Sequence, residues 1–210
     1  MSLGPVTIHP GATVREALSL TRSRRIRHLP VTEGKRLVGI ISDRDLRDVC
    51  PSVLDPGHEE LLDRTKVQEI MHRNPITAHP LDHIGEAARL LYEHRIGCLP
   101  VVSGGELMGI VTETDILRSL VQLMGVLKPG SHLEVEVPDR PGMLAGVAGI
   151  IRNHRVNINS MLTFPSTRSP EFLVLVFHIG TIDPRRIIAE LTAAGYNVRW
   201  PRPEQSPTDE

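Results

Sequence analysis

Apolar positions in this chain fall in short runs, and one arrangement of runs is written twice. The run Leu37 to Ile41 ends in Ser42, and Asp45 follows three residues later; the run Leu107 to Val111 ends in Thr112, and Asp115 follows at the same distance. Each reads as a strand that stops where a helix begins, with a hydroxyl and a carboxylate at the turn. Residues 6–48 align with residues 76–118 without a gap, and sixteen of the 43 pairs are identical. That agreement predicts two copies of one structural unit.

Each copy parses alike. An extended lead-in ends at His9-Pro10 or His79-Pro80, where proline keeps the preceding residue out of helix. A helix then starts near Thr13, with Glu16 completing a Thr-x-x-Glu capping box and Val14, Ala17 and Leu18 facing inward. Its counterpart starts near Asp82, with Ile84, Ala87, Ala88 and Leu91 inward. A strand through Leu29-Pro30-Val31, or Leu99-Pro100-Val101, leads to a glycine turn and the second strand, and Ser42 or Thr112 opens the last helix. One βαββα unit is too small to cover its own sheet, so the two should pack face to face. Residues 49–66 carry Pro51, Pro56 and Gly57 and read as a linker with one helical turn. Val67 to Met71 reads as a short helix with no counterpart before copy one. Met1-Ser2-Leu3 precede the first pattern by so little that a trimmed N-terminus is expected.

A different pattern begins at Ser131. Leu133, Val135 and Val137 alternate on one strand face, Asp139-Arg140-Pro141-Gly142 forms a turn, and Met143 to Asn153 is a helix with Leu144, Val147, Ile150 and Ile151 inward. Strands follow at Val156–Thr163 and Phe172–Ile179, a helix at Pro184–Ala194 capped by Gly195, and a last strand at Tyr196–Trp200. The order βαββαβ is the ferredoxin-like split arrangement, a four-stranded sheet with both helices on one face. The fold class is therefore α+β, with domains expected at 1–55, 56–126 and 131–201, a boundary at Lys128-Pro129-Gly130, and a disordered Pro-, Glu- and Ser-rich tail at 202–210.

Hydrophobic residues at 40% and charged residues at 23% are ordinary for a soluble globular protein. A net charge of −1 and only 3% aromatics argue against a nucleic-acid or membrane-surface partner. Without a signal peptide or an apolar run near the membrane-spanning length, a cytoplasmic protein is expected. Cys50 and Cys98 suit neither a disulfide framework nor a zinc site, the ten histidines lack metal-ligand spacing, and no nucleophile–base pair or phosphate-binding glycine loop is present. The composition and motifs offer no catalytic chemistry, so neither a metal nor a catalytic cofactor is expected. Arg22, Arg24, Arg25 and Arg27 read as solvated partners of a helix C-terminus.

Two readings of the repeated Ser42-x-x-Asp45 and Thr112-x-x-Asp115 remain. One is a structural capping box. The other is a ligand site, in which the carboxylate bridges ribose hydroxyls and a helix N-terminus offers N–H groups to phosphate. The Gly-h-h-[Ser/Thr]-x-x-Asp element (h, apolar), the upstream Leu-Pro-Val and the 70-residue tandem resemble the CBS domain pair, or Bateman module, over residues 5 to about 124. The resemblance implies a disc-like module that binds adenine nucleotides (AMP, ADP, ATP or S-adenosylmethionine) in its clefts as regulatory ligands. Asp45 and Asp115 would hold ribose, with Ser42 and Thr112 beside them, and Arg44 would meet phosphate where its counterpart is Thr114. Thr7, Ile8, His28, Leu29 and Pro30 would frame one base, and Thr77, Ala78, Cys98, Leu99 and Pro100 the other.

The segment Pro138-Asp139-Arg140-Pro141-Gly142-Met143-Leu144, followed by Val156-Asn157-Ile158, resembles the ACT domain. That resemblance implies pairing through the sheets and an amino acid at the interface, near Asp139, Gly142, Met143, Leu144, Asn157 and Ile158; a tight turn that only packs a helix is the alternative. The whole order is similar to the acetoin utilisation protein B group of bacterial regulators, which implies a role in acetoin or related carbon metabolism. The leading expectation is a non-catalytic, homodimeric metabolite sensor that signals to a partner protein, with Lys128–Gly130 as the moving boundary. The alternative is a ligand-free oligomerisation module that scaffolds a partner enzyme.

Overall fold

The computed structural model describes residues 2–49 and 58–201. Cys50, Pro51, Pro56, Gly57 and the tail 202–210 lie outside the described residues. The chain divides into two compact units, one running through Leu117 and the other starting at Arg118.

The first unit contains both copies. Copy one runs β1 (Ser2–Leu3), α1 (Val14–Arg24), β2 (His28–Glu33), β3 (Arg36–Ser42) and α2 (Asp43–Asp48). Two short helices, α3 (His58–Arg64) and α4 (Val67–Ile70), lead to copy two: β4 (His72–Arg73), α5 (Ile84–His94), β5 (Cys98–Ser103), β6 (Glu106–Thr112) and the start of α6 (Glu113–Leu123). Local chemistry explains the boundaries. Thr13 Oγ1 accepts from the Glu16 N–H at 3.1 Å while the Glu16 carboxylate accepts from the Thr13 N–H at 2.7 Å, the expected capping box. Both α1 and α5 end at an arginine in the left-handed region, Arg25 and Arg95 (φ 53° each), so the repeat extends to the backbone conformation of the caps.

Copy two starts differently from expectation. Its helix N-cap is His83, without a side-chain cap bond, because the Asp82 carboxylate accepts from the His79 N–H instead. Ile84, at the first turn of α5, is 45% exposed rather than inward, whereas Ala87 and Leu91 are buried.

The strand pairing carries the main topological result. Hairpins β2–β3 and β5–β6 have equivalent registers, Leu29 opposite Ile41 and Leu99 opposite Val111. The lead-in strands are exchanged between them. β4, which opens copy two, pairs with β3 of copy one through His72–Ile40 and Arg73–Gly39; β1, which opens copy one, pairs with β6 of copy two through Ser2–Ile110 and Leu3–Gly109. Thus α4 has no counterpart, as expected, but the strand after it does. β3 and β6 themselves meet at Arg36–Glu106. Ile8, Val14, Ala17, Leu29, Val31, Ile41 and Leu46 form the core of copy one, joined by Leu62 and Val67 from α3 and α4; Ala78, Ala87, Leu91, Leu99 and Val101 form a smaller core in copy two. Burial of each valine, leucine or isoleucine among them contributes about 1.5–3 kcal/mol.

The second unit contains β7 (Ser131–Pro138), α7 (Met143–Asn153), β8 (Ile158–Pro165), β9 (Phe172–Ile179), α8 (Arg185–Ala193) and β10 (Asn197–Trp200). The sheet order is β10-β7-β9-β8, antiparallel throughout. Leu133, Val135, Val137, Leu175, Phe177 and Ile179 share one face and pack with Val147 and Ile151 of α7 and Ile187 and Leu191 of α8. Both helices therefore cover one face, as βαββαβ requires. Leu144 is 42% exposed and Met143 packs against the core in its place, the reverse of the expected phase at the first turn of α7. Strand β8 begins at Ile158 and runs on to Pro165, two residues later at each end than expected. Among the described residues no helix is long and apolar enough to cross a membrane.

Candidate functional site

Ser42 ends β3 in an extended conformation and caps α2. Its Oγ accepts from the Asp45 N–H at 3.3 Å, and Asp45 Oδ2 accepts from the Ser42 N–H and Oγ–H, each at 2.7 Å. Thr112 and Asp115 repeat the arrangement at 3.2, 3.0 and 2.8 Å. The capping-box reading therefore describes both sites. It accounts for one carboxylate oxygen.

The other oxygen, Asp45 Oδ1, lies 3.2 Å from Nε2 of His72 on the exchanged strand β4. Burial pushes the Asp45 carboxyl up, but the hydrogen bonds from the Ser42 side chain and backbone and from His72 outweigh it and hold the group below the usual aspartate range. Asp45 stays ionised and in place.

A cavity of about 620 Å³ opens beside this pair. Small-molecule sites span roughly 300–1,000 Å³, so a nucleotide-sized ligand is within its capacity. Copy one contributes His28, Ile40, Ser42 and Asp45 to the wall, and copy two contributes Ile76, Cys98 and Pro100; Arg27, Arg44, Arg73 and Arg95 also line it. Burial, reinforced by Arg27, pushes the His28 imidazole pKa below its ordinary value, while Asp43, Glu113 and Asp45 act in the opposite sense. His28 fits because its neighbour is glycine: a Cβ on Gly97 would stand 3.0 Å from His28 Cε1. Burial, with Glu113 adding to it, pushes the Cys98 thiol up to about 12, so Cys98 is a small apolar wall residue rather than a nucleophile.

Of the nucleotide contacts anticipated from sequence, Ser42, Arg44, Asp45, His28, Cys98 and Pro100 line this cavity. Leu29 and Leu99 are fully buried core residues. Ile8 and Ala78 are buried too, and their parallel bridges to Val31 and Val101 stitch the lead-in segments to β2 and β5. Pro30 is buried, and Thr7 and Thr77 are exposed. Thr112, Thr114 and Asp115 occupy the equivalent turn of copy two. The base-framing sets grouped by copy are thus mixed in space: Asp45 shares one cavity with Ile76, Cys98 and Pro100 of the other copy. His72, Arg73, Ile76 and Arg95 were not anticipated, because a repeat offset reports likeness between copies and not contact across them. Arg27, assigned from sequence to a helix end, lines the cavity.

In the second unit, Gly142 adopts φ 92°, the left-handed conformation that glycine makes inexpensive, and caps α7. Asp139 N–H donates to Glu171 O, and Asn157 O accepts from the Gly180 N–H, both at 2.8 Å. Ile158 pairs with Ile179. Each of these residues has a turn or pairing role and Met143 packs against the core, whereas Leu144 is exposed. Among the described residues no cluster of three or more His, Cys, Asp or Glu is placed to hold a metal ion.

The CBS domain family model matches residues 1–52 and 67–122, more than half of the chain. This chain belongs to the CBS domain family. The ACT domain model matches residues 131–196, so a CBS pair is followed by an ACT domain. A CBS domain-containing protein of Dictyostelium discoideum is 36% identical over 137 residues, covering 62% of this chain and 94% of that protein. An inosine-5'-monophosphate dehydrogenase of Korarchaeum cryptofilum is 38% identical over 112 residues, which is 53% of this chain but 21% of that enzyme.

Solved CBS structures agree. A Vibrio cholerae protein ascribed to acetoin utilization (AcuB) is 33% identical with a TM-score of 0.52, covering 61% of this chain and 94% of its own. CBSX2, a protein of Arabidopsis thaliana, in complex with AMP is 31% identical with a TM-score of 0.50, covering 58% and 93%. The CBS pair of protein MJ0100, in complex with 5-methylthioadenosine and S-adenosyl-L-methionine, is 30% identical with a TM-score of 0.50, covering 57% and 90%.

Proposed function

We propose that this chain is a non-catalytic regulatory sensor that binds an adenine nucleotide or S-adenosylmethionine in the Asp45 cleft. The observation that carries the reading is the placement of an ionised Asp45, oriented by Ser42 and His72, on the wall of a 620 Å³ cavity with an apolar floor of Ile40, Ile76, Cys98 and Pro100. A fixed carboxylate suits the two hydroxyls of a ribose, an apolar slot suits a flat base, and nearby guanidinium groups suit phosphate. The AMP, 5-methylthioadenosine and S-adenosyl-L-methionine held by CBS relatives support the same ligand class. In this reading the ligand acts by binding one arrangement of the CBS pair more tightly than another. An amino acid at the ACT sheet, a homodimer, a cytoplasmic location, a responding partner protein and a link to acetoin metabolism complete the proposal; the likeness to the Vibrio cholerae protein supports the last.

Calorimetric titration with AMP, ADP, ATP and S-adenosylmethionine on the wild type, Asp45→Ala and Asp115→Ala tests it. Binding that disappears in Asp45→Ala supports the sensor. A second reading has its own observation: both Asp45 and Asp115 are engaged in capping boxes, which suffices for a structural module that scaffolds a partner. Silence from all four ligands would favour that reading.

A further inference from the structure

The two copies provide two turns with the same Ser/Thr-to-Asp bonding, but their surroundings differ in charge. The exchanged strands make the 70-residue offset a physical correspondence, since His72–Ile40 and Arg73–Gly39 on one side match Ser2–Ile110 and Leu3–Gly109 on the other. Carried across that correspondence, Arg73 becomes Leu3, Arg44 becomes Thr114, Arg27 becomes Gly97, and only Arg95 keeps its charge, as Arg25.

The four arginines of the Asp45 cleft are also distinguished by their partners. Arg15, Arg47, Arg89 and Arg199 each have a carboxylate within ion-pair distance. Among the described residues none of Arg27, Arg44, Arg73 and Arg95 is in an ion pair; Arg73 donates to the Gln68 carbonyl at 3.3 Å. Three carboxylates share the cavity wall. Asp43 is paired with Arg47 at 2.8 Å, Asp45 is held by Ser42 and His72, and Glu113 lies beside Gly97. The four guanidinium groups outnumber the three carboxylates around the cavity, and none of the four is within ion-pair distance of one, so a ligand carrying several negative charges is favoured there.

We propose that the Asp45 cleft takes a nucleoside di- or triphosphate, with Arg44 and Arg73 reading the number of phosphates, and that the equivalent turn at Asp115, where threonine and leucine stand in their places, takes no polyphosphate. This rests on the nucleotide reading above and adds to it a ligand class and an inequality between the two copies. Arg44 and Arg73 are exposed, so their replacement leaves the core untouched.

The test is titration of the full chain in magnesium-free buffer of low ionic strength with adenosine, AMP, ADP, ATP and inorganic tripolyphosphate. Affinity should rise with each phosphate from adenosine to ATP, and ATP should saturate at one equivalent per chain. Arg44→Thr and Arg73→Leu, which import the residues of the other copy, should each weaken ATP about tenfold while shifting adenosine by less than about twofold, the loss expected for one charge-assisted contact. Asp115→Ala should leave ATP binding intact, and the double substitution Leu3→Arg with Thr114→Arg should add a second equivalent. Equal affinities for AMP and ATP, two equivalents of ATP in the wild type, tripolyphosphate binding as tightly as ATP, or equal losses for adenosine and ATP in Arg44→Thr would each overturn the inference. The nucleotide reading would survive any of those results in which Asp45→Ala still abolished adenosine and AMP binding. No binding by any adenine compound would overturn both.

Discussion

His72 Nε2 stands 3.2 Å from Asp45 Oδ1, so a side chain from the second copy holds the carboxylate of the first. The contact exists because β4 pairs with β3 rather than with strands of its own copy. It joins the two repeats at the wall of the cavity.

Asp45 should make acid stability depend on this cluster. Its native pKa lies below the usual aspartate range, so the carboxylate stabilises the fold above its unfolded value of about pH 3.9 and loses that contribution as pH falls through the native value. Acid denaturation of Asp45→Asn should show a flatter limb below about pH 4 than the wild type. Ser42→Ala, which removes the helix cap and one Asp45 partner together, should cost about 1 kcal/mol in urea unfolding at neutral pH. Identical acid limbs for Asp45→Asn and wild type would mean the cluster contributes nothing.

Gly39 is the close-approach point between β3 and β4. A Cβ there would stand 2.6 Å from Met71 Sδ and 3.0 Å from His72 O. Met71 can swing away, but the His72 carbonyl belongs to the paired strand. Gly39→Ala should therefore destabilise by about 1–3 kcal/mol in a denaturant titration and weaken ligand binding at Asp45 by displacing His72. Gly85 is the control: it lies in α5 with nothing within 4 Å of an added Cβ. Gly85→Ala should stabilise by up to about 1 kcal/mol through its helix propensity.

His28 should impose a second and separate pH dependence. Burial, helped by Arg27, lowers its native pKa below the ordinary value. The unfolded chain then binds the proton more readily, and stability declines as pH falls below about 6.5. An NMR titration should place the His28 midpoint below that of an exposed histidine, and His28→Cys, the residue of the other copy, should flatten the decline in stability below about pH 6.5. A His28 midpoint at or above about 6.5 would contradict the burial argument.

Phe177 is fully buried at the centre of the ACT sheet, facing α7 and α8. Phe177→Ala should cost about 3–5 kcal/mol by lost transfer energy and residual cavity. Thermal melting followed by circular dichroism would detect it, and a loss below about 1 kcal/mol would show that the sheet and helices close over the gap.

Much of this architecture was legible in the residues. The capping box at Thr13 and Glu16, the inward Val14 and Ala17, the alternation of Leu133, Val135 and Val137, and the helix Met143–Asn153 are local, because hydrogen-bond reach and side-chain periodicity operate over a few residues. Ile84 and Leu144 went astray at helix first turns, where periodicity names apolar positions but the entering chain decides which one is covered. The exchange of β1 and β4 was not legible at all. A repeat shows that residues 6–48 and 76–118 adopt like conformations; whether a two-residue strand completes its own copy's sheet or the other's is decided by backbone pairing across the whole unit. That pairing brings His72 to Asp45 and sets Arg73 on the same cavity wall, which residues of both copies line.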